Sequence, residues 1–233
     1  MFFQAMKAEL TAIRLLFRNR LTLMLLVMTY GGLLGAGYLF VSTREATIAQ
    51  LVVTLASILI APALFFALQA VSVNYVSAAS ATSLIKKTAY DALRIVVVSV
   101  PLVVVTGLAF YGLGKINSHL TLVAAVRYLL VGVIAPLLAI QLWVAASRDG
   151  LRQLLRRAPQ MAARAFAPQS VFIYAGGVLV FAVAPYFLIF HTTQTDRAWL
   201  EVSLLAVRLA ASALLILFGW VTTIGTLSLL NKN

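Results

Sequence analysis

The chain has 233 residues, 63% of them hydrophobic and 10% charged, with a mean hydropathy of +1.02. Roughly a quarter of a soluble domain is charged, so this composition excludes an ordinary water-soluble fold and makes lipid the natural solvent. The absence of cysteine excludes disulfides, thiolate nucleophiles, iron–sulfur ligation and cysteine-based zinc sites.

The net charge of +12 would suggest nucleic acid in a soluble protein, but its distribution along the chain argues for a membrane surface and against nucleic acid. The chain opens with a basic amphipathic segment, Ala8 to Arg20, before its first apolar run. Lys7, Arg14, Arg18 and Arg20 are spread too widely for the n-region of a cleavable signal peptide, and no clear small-residue cleavage site follows. The first apolar run is therefore expected to stay as a transmembrane helix.

A helix crossing the hydrocarbon core needs ~20 mostly apolar residues, because the core offers no water to backbone groups and each residue advances only ~1.5 Å. Six stretches qualify: Leu21 to Val41, Ile48 to Val71, Ile95 to Leu113, Leu122 to Ala145, Val171 to Phe190 and Leu200 to Leu230. The expected fold is all-α, a polytopic membrane bundle of six transmembrane helices with amphipathic helices on the cytoplasmic face.

The connections set the orientation, since short cytoplasmic loops accumulate Lys and Arg. One side receives Lys7, Arg14, Arg18 and Arg20, then Lys86, Lys87 and Arg94, then Arg148, Arg152, Arg156, Arg157 and Arg164, and finally Lys232. The other side receives Arg44, Lys115 and Arg197. This bias predicts a multi-pass protein of the cell (inner) membrane with both termini cytoplasmic. The outer loops, Ser42 to Thr47, Gly114 to Thr121 and His191 to Trp199, are too short for a domain of their own.

The inner connections carry apolar residues at helical spacing among their cations: Leu84, Ala89 and Leu93, then Leu151, Leu154, Leu155 and Met161. Such segments are expected to lie on the inner leaflet as amphipathic helices. The single transmembrane domain, 1–233, then divides into three units of a basic helix and a hairpin, 1–81, 82–149 and 150–233. Two short matches agree with a threefold repeat: Ile60-Ala61-Pro62 recurs as Ile134-Ala135-Pro136, and Val126-Arg127 recurs as Val207-Arg208.

Arg127 and Arg208 are the candidate ligand or ion-pair residues, because an arginine inside a span costs at least ~2.5 kcal/mol at the bilayer centre. Two readings stand: the guanidinium snorkels to the outer headgroups, or it faces the bundle and binds an anionic group or Glu201, seven residues before Arg208 on the same helix face. Pro62, Pro101, Pro136 and Pro185 fall within spans, where each removes a helix hydrogen bond. They permit kinks that serve packing or line a path. Gly31 and Gly35 form a small-xxx-small pair, and the polar residues of the spans, Gln69, Ser99 and Gln141 among them, are expected to bond between helices.

The arginines Arg148, Arg152, Arg156, Arg157 and Arg164, with Lys86 and Lys87, form the expected surface for anionic inner-leaflet lipid or for an acidic partner. His119 and His191 show no metal-ligand spacing, no carboxylate pair suggests acid–base work, and no phosphate-binding or nucleophile-elbow motif is present. The expectation is a chain without catalytic, metal or cofactor site.

The segments Ala8 to Val27 (AELTAIRLLFRNRLTLMLLV) and Ser83 to Val103 (SLIKKTAYDALRIVVVSVPLV) resemble the basic-helix-then-span units of poorly characterised six-span bacterial membrane proteins. These include the membrane domain attached to some glycerophosphodiester phosphodiesterases. The resemblance is one of layout and implies no catalytic residue here, because the chemistry of those proteins belongs to a separate soluble domain. The first segment also looks like the interfacial helix and first span of ABC-2-type permeases, which implies a separate ATPase docking on the loop from Ser72 to Arg94. From the residues themselves the expected function is a non-catalytic subunit or scaffold that packs against other membrane proteins, or against itself, and against lipid. The alternative is a transport component whose polar cavity is lined by Arg127, Arg208, Glu201 and the span prolines.

Overall fold

The computed structural model describes residues 2–43, 47–77, 81–116, 121–191 and 197–231. Arg44, His119 and Lys232 of the sequence reading lie outside these residues. The described chain is helical throughout, and six of its helices are long and apolar enough to cross a bilayer, which makes it a multi-pass integral membrane protein.

Helix α1 is Phe2–Arg18 and α2, the first span, is Arg20–Ser42. They are divided by Asn19, whose extended backbone (φ −106°, ψ 96°) and side chain cap the new helix by accepting from the Thr22 N–H at 3.3 Å. Helix α1 turns Ala5, Ala12 and Leu16 inward, onto the last span, and leaves Phe3, Leu10 and Phe17 exposed beside Lys7 and Arg14. An apolar face among cations is the pattern of a helix lying at the bilayer surface.

Helix α3 is Ile48–Asn74 and α4 is Ala81–Lys115. The sequence reading expected the basic stretch before Ile95 to lie on the leaflet as a helix of its own. Instead it runs without a break into the span, giving one helix of 35 residues. Neither glycine, proline nor a capping Asn separates Arg94 from Ile95, so nothing in the chain ends the helix there.

Helix α5 is Thr121–Asp149. Gly150, at φ +75°, turns the chain into α6, Leu151–Ala165, a conformation that favours glycine. The apolar face of α6 buries Leu154, Met161 and Ala165 while Arg156 and Arg164 stay exposed, as the amphipathic reading expects. Pro168 begins α7, Pro168–Phe190, and α8 is Ala198–Leu230. Both α5 and α7 contain one widened π turn, at Leu130–Ile134 and Leu179–Val183. Each turn is followed by Ala-Pro, so the missing proline N–H and the widening occur together.

The core lies toward one end of the bundle. The basic residues of α1, the start of α4 and α6 gather there, as do the fully buried Ala70, Ile95, Leu137, Ile140, Ala146 and Ile224. Toward the opposite end the same helices expose Leu59, Val105, Tyr128 and Val207. The bundle is closed at its basic end and splayed at the other.

Candidate functional site

The splay leaves a cavity of about 840 Å³, with walls from α2, α3, α4, α5 and α8. That is within the range of roughly 300–1,000 Å³ typical of ligand sites. Its sides are aliphatic and aromatic, including Leu33, Leu102, Ala139 and Leu217. Toward the core lie Phe65, Trp143, Trp220 and Gln69.

These rings belong to one edge-to-face series. Phe65 meets Trp143 at 6.4 Å between centroids, Trp143 meets Trp220 at 6.4 Å, Trp220 meets Phe181 at 5.2 Å, and Phe181 meets Tyr174 at 6.1 Å. The indoles also donate. Trp143 Nε1 donates to Ser99 Oγ at 2.8 Å, and Trp220 Nε1 donates to Gln69 Oε1 at 2.8 Å. With Oε1 held by the indole, the Gln69 amide has one orientation and its Nε2 points away, buried and without a partner.

Other polar side chains close the basic end. Asn74 Nδ2 donates to Asp91 Oδ2 at 2.8 Å, joining α3 to α4, and Arg94 completes the group with a 3.4 Å contact to Asp91. Asn231 Nδ2 donates to Gln141 Oε1 at 2.7 Å. The Tyr174 hydroxyl donates to the Gly132 carbonyl at 2.6 Å. That carbonyl is the one Pro136, four residues on, cannot serve. Tyr75 is enclosed beside Gly225, and burial pushes its phenol well above the ordinary tyrosine range.

The sequence-selected residues fall in several places. Arg127 stacks on the Phe110 ring, its guanidinium carbon 3.9 Å from the centroid, in a notch with Tyr111, Gly114 and Lys115. Arg208 donates to the His191 carbonyl, which follows the last turn of α7, where the helix dipole favours a cation. Glu201 is exposed in the first turn of α8 and, among the described residues, pairs with neither arginine. The two arginines occupy separate notches of about 330 and 470 Å³, and neither lines the large cavity; of the span prolines only Pro136 does.

Lys86, Arg156 and Arg164 are exposed and Lys87 is half-exposed, its Nζ 3.5 Å from Ser77 Oγ. The side chains of Arg152 and Arg157 lie outside those described. Arg148 differs from the surface role expected of it. Its guanidinium points inward, donating to the Ser228 carbonyl and, at 2.9 Å, to Ser228 Oγ, which itself donates to the Val73 carbonyl at 3.2 Å. It sits at the last turn of a span rather than on α6, so the nearest acceptors are the end of α8 and not headgroups.

Gln69, Ser99 and Gln141 bond between helices, as expected of polar span residues, but sequence reading passed over the partners Trp143 and Trp220 and the hydroxyl of Tyr174. Two signals mark them: two of the three tryptophans lie within spans, and Leu130-Val131-x-x-Ile134-Ala135-Pro136 recurs as Leu179-Val180-x-x-Val183-Ala184-Pro185. Among the described residues no group of three or more His, Asp or Glu side chains is placed to hold a metal. No family model matches the chain, and comparison with curated proteins and with solved structures likewise returns no match.

Proposed function

We propose that the chain is a non-catalytic subunit or scaffold of a larger assembly in the cell (inner) membrane, with both termini cytoplasmic and its basic face on anionic lipid. The observation that carries this reading is the chemistry of the interior. Polar side chains at the core, among them Trp143, Trp220, Asn74 and Arg148, are used in bonds between helices, and the space the helices enclose is walled by hydrocarbon and aromatic rings. A polar substrate finds no row of polar groups there to replace its water.

The α2 surface supports association. Gly31 and Gly35 have open space where a side chain would stand, and Met24, Met28 and Tyr38 continue the same outward face. Small residues in lipid are where helices approach closely, and this pair is not used within the chain's own bundle.

A second reading, a transport component such as an ABC-type permease subunit, draws on the shape of the bundle, closed at the basic end and open at the other. Purification from native membrane in gentle detergent or nanodiscs, with mass spectrometry of all that co-migrates, separates the two. Stoichiometric membrane partners support the subunit, an ATPase among them moves the assignment to the permease, and a chain recovered alone refutes the subunit role.

A further inference from the structure

We propose that the intramembrane cavity is a binding site for one lipid-like molecule with an apolar body and a carbonyl oxygen, which accepts a hydrogen bond from Gln69 Nε2. The site stands whether or not the chain works in a larger assembly.

Three observations meet there. The cavity, about 840 Å³, has the volume of a ligand site and walls suited to a hydrocarbon guest. Val103 and Val131 line it while 66% and 49% exposed, so it opens sideways, toward lipid tails rather than water. At its inner end the Gln69 side chain is 0% exposed, and its amide is fixed by Trp220 with a free N–H pair directed away from that bond.

A donor buried at bilayer depth needs an acceptor, and aliphatic tails have none. The guest must therefore bring an acceptor on an otherwise apolar frame. A cation would meet no counter-charge at the site, and an anion would meet only a neutral amide among hydrocarbon. A neutral carbonyl fits the donor, and the faces of Phe65, Trp143 and Trp220 suit a flat, conjugated or ester-bearing group beside it. Two sources share this chemistry: the acyl ester of a glycerolipid and the ring carbonyl of an isoprenoid quinone.

The tryptophans provide the readout. In a Trp199→Phe chain the two remaining indoles, Trp143 and Trp220, both line the cavity. The purified full-length variant in nanodiscs is titrated with decylubiquinone, with a phosphatidylethanolamine brominated on one acyl chain, and with an alkylbenzene of matching length. Saturable quenching by the quinone or by the brominated lipid is expected and identifies the source. Gln69→Leu is expected to weaken that binding at least tenfold. Gly107→Leu, which fills open space on the cavity wall and leaves the Gln69–Trp220 bond untouched, is expected to abolish it. The proposal is overturned if quenching by both carbonyl probes rises without saturation, if Gly107→Leu leaves it unchanged, or if the alkylbenzene binds as tightly as the carbonyl compounds.

Discussion

Replacing Tyr174 by phenylalanine tests whether the π turn of α5 is held from outside its own helix. Pro136 has no N–H for the Gly132 carbonyl, and the Tyr174 hydroxyl, on a side chain 4% exposed, donates to it at 2.6 Å from α7. Tyr174→Phe keeps the ring, and with it the contact to Phe181, but takes the side-chain donor from a carbonyl at bilayer depth. Bonds between membrane helices average about 0.6 kcal/mol and reach ~1.7, and an acceptor left facing lipid without a donor adds to the loss, so ~1–2 kcal/mol is expected. In a chain of this size that is a fall of roughly 2–8 °C in Tm. Pro136→Ala supplies the missing N–H. In that background Tyr174→Phe should cost less than ~0.5 kcal/mol, the signature of two sites that share one partner. The assay is reversible unfolding in mixed micelles over the four members of the cycle. An equal loss in both backgrounds would refute the idea that Tyr174 stands in for the proline.

Two glycines are expected to resist enlargement and one to tolerate it. A methyl on Gly225 would fall on the Tyr75 phenol and one on Gly177 on the Thr223 hydroxyl, so each alanine variant should lose ~1–3 kcal/mol by the same unfolding assay. Gly31→Ala meets open space and should unfold like the parent, while lowering recovery of membrane partners if α2 is the association face. Arg148→Ala removes charged hydrogen bonds between α5 and α8 and should lower stability by ~1.5–3 kcal/mol. Arg156→Ala, at an exposed site, should leave Tm unchanged and weaken binding to anionic vesicles about fivefold, read by flotation at low salt. Because the chain has no cysteine, single thiols report orientation cleanly: Ser77→Cys should be protected from an impermeant maleimide in intact cells, and Ser42→Cys labelled.

Hydropathy located five of the six spans to within a few residues and missed the start of α4 by more than three turns, because entry into lipid depends on the average over ~20 positions and is blind to a basic helix that runs on into a span. The same averaging is blind to which helix meets which. Arg148 and Arg156 read alike as members of one arginine run, yet one clamps α8 and the other faces outward, a difference set by helix ends and facing acceptors. The break at Asn19 and the continuity of α4 through Arg94 were open to reading, since capping residues are local signals. Gln69 was expected to bond between helices, but its partner and the aromatic series were not legible, because Phe65, Trp143, Trp220 and Phe181 come from four spans and meet only through tertiary packing.

The asymmetry of the bundle follows from where its small and polar residues lie. Lipid tails are as apolar as leucine, so helices in a membrane gain little by hiding aliphatic side chains from one another. They associate where small residues let backbones approach or where polar groups bond. In α3 those residues are Ala70, Ser72 and Asn74, in α5 Ala145, Ala146 and Ser147, and in α8 Gly225, Thr226 and Ser228, all buried and all in the stretch beside the basic end. The other halves carry Val52, Leu55 and Leu59, Leu129 and Val131, and Val202, Leu205 and Leu209, which are exposed and contented in lipid. Those halves are held within the outer hairpins, α2 with α3, α4 with α5 and α7 with α8, rather than between them, so the hairpins diverge from a fixed end and a cavity opens where the divergence begins. Its floor is then set by the last polar pair of the closed end, Trp220 and Gln69, and that is why the one unpartnered amide of the pair stands at the boundary between glued helices and open space.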